Sequence, residues 1–100
     1  LLRYLEKIST VRYSHLLSNY SNVLFNDKSK LLVAKTLKEF EDLLPPTSFI
    51  RIHQSHIINI NYIKAYHNGR GGTIEMLNGT IMPVARSRKK EVLSKLKKVN

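Results

Sequence analysis

One hundred residues, 42% of them apolar, suit one independently folding domain, and 17 Lys and Arg against seven acids give a net charge of +10 and a pI near 10.1. The lack of cysteine excludes disulfide stapling and thiolate metal sites and is compatible with a reducing cytosol. No apolar run is long enough to cross a bilayer, and Leu1-Leu2-Arg3-Tyr4 has neither an initiator Met nor a signal-peptide pattern, so a cytoplasmic piece of a longer chain is expected.

In chain order, the apolar-rich pieces Leu1 to Ile8 and Val11 to Leu17 predict two strands, and Ser18-Asn19-Tyr20-Ser21-Asn22 predicts a loop. Val23-Leu24-Phe25 and Leu31-Leu32-Val33-Ala34 flank a polar link of hairpin length, which predicts an antiparallel pair. Thr36-Leu37-Lys38-Glu39 fits a capping box, in which the Thr hydroxyl accepts from a helical N–H and the Glu carboxylate reaches back to the cap. A helix of about two turns follows, because Leu37, Phe40, Leu43 and Leu44 recur at helical spacing and Pro45-Pro46 end it.

Phe49 to Ile52 predicts a strand, Ser55 to Asn59 a tight helical turn, and Tyr62 to Tyr66 another strand before the loop Asn68-Gly69-Arg70-Gly71-Gly72. Thr73 to Leu77 and Thr80 to Val84 enclose Asn78-Gly79, a pair that suits the positive φ angles of a type I′ turn; Pro83 then belongs at a sheet edge or strand end. From Ser87 onward, Val92, Leu93, Leu96 and Val99 form the apolar stripe of a C-terminal helix. The sum is a mainly β domain with two short helices, which leaves base reading, if any, to loops or strands.

Charge is distributed unevenly. No Asp or Glu occurs between Asp42 and Glu75, and residues 81–100 carry seven Lys and Arg against Glu91 alone. Such clustering favours a face for a polyanion. His53-Gln54-Ser55-His56 invites a metal reading, yet histidines three apart on a strand face opposite ways and no third ligand is near in sequence. A Ser-His nucleophile would need an orienting carboxylate, and the nearest acids sit on the capped helix. Gly69-Arg70-Gly71-Gly72 precedes a strand and lacks the Lys-Ser/Thr of a phosphate loop, so it reads as a hairpin loop. No catalytic residue, metal or cofactor is therefore expected.

Two segments carry recognition chemistry instead. Met82-Pro83-Val84-Ala85-Arg86-Ser87-Arg88 runs from a strand end into a basic helix start, and a guanidinium held there can donate two parallel bonds to guanine O6 and N7. Arg88, Lys89 and the Ser87 hydroxyl suit phosphates. The Gln54 amide can pair with adenine N6 and N7, or cap a backbone group.

The ordered series Phe49-Ile50-Arg51-Ile52-His53-Gln54-Ser55-His56-Ile57-Ile58-Asn59-Ile60-Asn61-Tyr62-Ile63, then Asn78-Gly79-Thr80 and Met82-Pro83-Val84-Ala85-Arg86, resembles the LytTR DNA-binding domain of bacterial response regulators. Tyr13 to Tyr20 and Thr36 to Leu44 extend the resemblance over essentially the whole of residues 1–100. It implies an elongated, multi-sheet β fold whose loops enter successive major grooves of double-stranded DNA. It also implies an N-terminal receiver domain, phosphorylated by a sensor kinase, that pairs two molecules on tandem half-sites. Carried over residue by residue, Gln54, Arg86, Asn19 and Tyr20 would contact bases, and Ser21, Arg51, Ser55, Ser87, Arg88 and Lys89 phosphates. His53 matches a family position and is expected to buttress the loop, and Asn59, beside Ile57 and Ile58, is expected to be a structural hydrogen-bonder. Ala85 departs from the Ser common before the family's Arg, which removes one possible hydrogen bond.

Two other function classes stay open at the level of sequence. A non-catalytic RNA-binding module could use tyrosines on strands with basic loops, although no exposed aromatic pairs are evident. Association with an anionic membrane through the Lys-rich C-terminal helix is less favoured, because that helix lacks an aromatic anchor.

Overall fold

The computed structural model describes residues 5–99, and for Arg70 and residues 97–99 the backbone alone. Among the described residues eight strands form two antiparallel sheets. The first contains β1 (Ile8–Tyr13), β2 (Ser21–Phe25), β3 (Lys30–Val33), β4 (Phe49–His53) and β5 (His56–Asn59), in the order β3-β2-β1-β5-β4. The second contains β6 (Ile63–His67), β7 (Thr73–Met76) and β8 (Ile81–Pro83), in chain order. Helix α1 (Leu37–Leu43) joins β3 to β4, and α2 (Lys89–Val99) closes the domain. The principal extents, 33 × 26 × 24 Å, make the expected elongation slight.

The five-stranded sheet is covered on both faces where β4 and β5 run, whereas β3 at its far edge is largely exposed. On one side Leu37, Phe40 and Leu44 of the α1 segment cover Val11, Val23, Phe49 and Ile57. On the other, Ile50, Ile52 and Ile58 pack with Ile74, Met76 and Met82 of the second sheet and Val92 of α2. β4 and β5 alternate between these two cores, which explains a β-branched run without a polar face. Each buried isoleucine contributes about 1.5–3 kcal/mol through area removed from water. Val92 fills the stripe expected of α2 and Leu96 packs beside it, whereas the Val99 side chain lies outside the described residues.

The capping box forms as read: Glu39 N donates to Thr36 Oγ1 (3.1 Å) and Thr36 N to Glu39 Oε1 (3.0 Å). α1 stops before Pro45, with Leu44 N bonded to Phe40 O (2.8 Å). Pro83 ends the edge strand of the second sheet, where a missing N–H donor is tolerated.

Three local expectations need correction. One strand, β1, replaces the two expected before the first loop; residues 5–7 are not extended, residues 1–4 lie outside the described residues, and Ser14 turns the chain where the strand was expected to continue. Ser55 to Asn59 is not a helical turn: His56–Asn59 is a strand paired with β1 and with β4, because Ile57 and Ile58 can fill both cores only if they point opposite ways. The helical turn comes next, at Ile60–Tyr62, capped by Asn59, whose Oδ1 accepts from Asn61 N (3.0 Å) while its buried Nδ2 donates to Ile8 O (2.9 Å). Asn59 is thus the structural hydrogen-bonder expected.

The third correction concerns Asn78-Gly79. Of the two only Gly79 has positive φ (90°), so the hairpin is not type I′. Gly79 N bonds to Met76 O (2.9 Å) and Met76 N to Thr80 O (2.8 Å), closing a three-residue loop with the left-handed residue last. The β2–β3 hairpin has the same form: Lys28 N bonds to Phe25 O (2.9 Å), Phe25 N to Ser29 O (2.9 Å), and Lys28 adopts φ 75° without the freedom of glycine.

Candidate DNA-recognition site

β1 and β5 are antiparallel with Arg12 opposite His56, so the end of β1, the start of β2 and the β4–β5 turn share one end of the large sheet. The residues singled out from sequence converge on that end. Tyr13 N donates to Ser55 O (3.0 Å), joining the first loop to the turn. Ala85 N donates to Ile52 O (2.8 Å), seating the strand-to-helix junction beside the same turn.

The first loop has a fixed path. Ser14 is buried; its N donates to Tyr20 O (3.2 Å) and its Oγ accepts from Leu17 N (3.1 Å), while Tyr20 N donates to Leu17 O (3.3 Å). Asn19 takes a left-handed conformation (φ 65°), which asparagine tolerates better than most residues, and its side chain is exposed. Tyr20 is half-buried.

The Gln54-Ser55 turn is held by side chains. Arg51 donates through Nε to His53 O (3.0 Å), through Nη2 to Gln54 O (2.7 Å) and through Nη1 to Glu41 Oε1 on α1 (2.9 Å). Ser55 N donates to His53 Nδ1 (3.1 Å), so His53 buttresses the turn as expected. Gln54 is left exposed at the apex and Ser55 half-buried. Arg51 was expected at a phosphate, yet its side chain is only 15% exposed and three of its donors go to protein acceptors.

Ser21 also departs from expectation. It is fully buried, and its hydroxyl donates to Lys35 O (2.7 Å), so it binds the start of β2 to the exit of β3 and offers nothing to an outside phosphate. The junction is the reverse case. Val84 and Val92 are buried on either side of the single turn Arg86–Arg88, whose Arg86 and Ser87 are exposed and whose Arg88 is half-buried, as is Lys89 at the start of α2. Buried anchors with exposed cations between them place charge at a defined position.

The fold adds Arg12 and His15 to this end, neither of which was singled out from sequence. Arg12 is exposed and lies near His56 together with His15 and His53. Burial, then the neighbouring charge of Arg12 and the two other histidines, pulls the His56 pKa down to about 4, so His56 is neutral near pH 7. The His53 and His56 rings sit edge-on with centroids 5.6 Å apart. Arg12 had been placed inside a longer strand, and its tilt to the surface follows only from the strand's pairing.

A family model for the LytTr DNA-binding domain matches residues 3–97. The chain belongs to the LytTR family. LytTR domains are non-catalytic DNA-binding domains of bacterial response regulators, in keeping with the recognition chemistry at this end of the sheet. Two curated relatives are each a "Sensory transduction protein LytT": one from Enterococcus faecalis is 35% identical over 75 residues, covering 73% of this chain and 31% of the relative. The other, from Bacillus subtilis, is 36% identical over 62 residues, covering 60% of this chain and 26% of the relative. The LytTR chain described here thus spans less than a third of the curated relatives it matches. A solved LytTr DNA-binding domain, assigned to a methyl-accepting/DNA response regulator from Bacillus cereus, has the same fold, with a TM-score of 0.80 at 30% identity over 92% of this chain and 83% of that one. No helix among the described residues is long and apolar enough to cross a membrane.

Proposed function

We propose that this LytTR domain binds promoter DNA in a sequence-specific manner, as the output domain of a cytoplasmic two-component regulator. The observation that carries the proposal is convergence: the bonds Tyr13 N to Ser55 O and Ala85 N to Ile52 O bring the first loop, the Gln54 turn and the Arg86 junction to one basic end of the sheet. Loops held side by side can enter successive major grooves of a duplex.

In this proposal Gln54 and Arg86 read base edges, with Asn19 and the partly covered Tyr20 contributing from the first loop. Ser55, Ser87, Arg88 and Lys89 hold phosphates. Arg51 and Ser21 act behind the surface, the first by fixing the Gln54 turn and the second by fixing the loop's exit. An upstream receiver domain, phosphorylated by a sensor kinase, would pair two molecules on tandem half-sites.

A mobility-shift titration over a salt series tests the proposal, with single-stranded RNA as competitor. Affinity for duplex DNA should fall steeply with salt, with a slope of about −0.9 per phosphate neutralised, and a preferred duplex should outcompete both random duplex and RNA. Equal affinity for RNA and for all duplexes would reject it.

A further inference from the structure

Leu16 is 94% exposed, more than any other large apolar side chain described, and Leu17 beside it is 46% exposed. Scattered exposed leucines are ordinary and need no explanation. The position of this one does. It sits on the loop whose path is fixed by Ser14 and by left-handed Asn19, on a backbone tied through Tyr13 to the Gln54 turn. It follows His15 in sequence and shares this end of the sheet with Arg12, on a domain of net charge +10, surroundings that suit a polyanion. Two leucines make too small a patch for a stable protein interface. A duplex presents one apolar group on the floor of its major groove, the C5 methyl of thymine, and an aliphatic side chain is its usual partner.

We propose that Leu16 is a specificity-determining residue that packs against a thymine methyl in the groove entered by the first loop. The inference rests on the DNA-binding role proposed above and adds a contact with the thymine methyl, which hydrogen bonding by Asn19 or Gln54 does not make. Leu16→Ala removes the contact, and because the side chain is almost wholly exposed the variant keeps its fold, which an unchanged thermal melt verifies.

The test takes the preferred duplex recovered from a randomised pool and replaces its thymines one at a time with uracil, which keeps the pairing and deletes the methyl. One replacement should weaken the unaltered domain about three- to fivefold, the effect of roughly one buried methyl group. Leu16→Ala should lose a similar factor on the thymine duplex and be indifferent to that same replacement. If the uracil penalty persists in Leu16→Ala, or if Leu16→Ala weakens all duplexes equally or none, Leu16 is not the partner of a thymine methyl. Failure of the DNA-binding role itself looks different: no duplex is recovered above random competitor, and this inference falls with it.

Discussion

The Gln54-Ser55 turn and the Asn78-Gly79 hairpin both reverse an antiparallel pair, by different means. At Asn78-Gly79 the closure stays within the turn: Gly79 takes the left-handed conformation, main-chain bonds between Met76, Gly79 and Thr80 close the loop, and the Asn78 side chain accepts from Thr80 N (3.0 Å). At Gln54-Ser55 neither residue has positive φ, and the closure comes from Arg51, His53, the backbone of Tyr13 and, through Arg51, Glu41 on another element. The first turn is closed mainly from within, with Leu77 N donating to Tyr62 O (2.8 Å) as a main-chain tie outside the hairpin. The second is held from several directions with its apex side chain left free, as a rigid reading element requires.

The largest effect should come from removing the clamp. Arg51→Met leaves the Glu41 carboxylate and two turn carbonyls without their donor, and should cost about 2–3 kcal/mol in urea unfolding. It should also weaken binding to a preferred duplex, although Arg51 touches no phosphate in this account. Arg86→Ala should do the opposite, leaving stability within about 0.5 kcal/mol while costing about 1–3 kcal/mol of binding, confined to the preferred duplex. Lys89→Ala serves as its control, with equal loss on preferred and random duplexes in the same mobility-shift assay.

On the other side of the comparison, Gly79→Ala should destabilise by about 1 kcal/mol, because alanine resists a φ of 90°, and DNA affinity should not change. Lys28→Gly, at the equivalent left-handed position of the β2–β3 hairpin, should stabilise by about 0.5–1 kcal/mol in the same unfolding assay. If Gly79→Ala impaired DNA binding, the separation between a structural and a reading turn would fail.

The last effect appears only in acid and is absent near pH 7. His56 has a folded pKa of about 4 against an ordinary 6.5, so between those values the unfolded chain binds a proton that the folded chain refuses. Stability should therefore decline as pH falls from about 6.5 toward 4, and His56→Gln should flatten that slope in urea midpoints. Asp27, Glu39 and Glu75 have pKa values below the ordinary carboxylate range, chiefly from hydrogen bonds to Ser29, Thr36 and His67, and their contribution is lost lower, as pH falls through their depressed values. The two windows separate the histidine from the carboxylates.

Features that depend on neighbours in sequence were legible in it. The α1 capping box is complete within four residues, Thr36 to Glu39, and Pro45-Pro46 end the helix without tertiary help. β5 was not legible as a strand, because an apolar run buried on both faces has no alternation to reveal its period. At the site, Gln54 and Arg86 stand exposed where the motif suggested. Ser21 and Arg51 did not, since what occupies them is a carbonyl 14 residues away in one case and a carboxylate 10 residues away in the other. Polar side chains near loops look alike in sequence whether they face solvent or hold the loop.

Selection from a randomised duplex pool, performed in parallel with the unaltered domain, Gln54→Ala and Arg86→Ala, tests most directly whether the Gln54 turn and the Arg86 junction read DNA as parts of one composite reader. The unaltered domain should recover one motif, and each variant should lose preference at a different base pair of that motif while keeping the rest. Recovery of no motif, or of the same motif by all three proteins, would contradict the account.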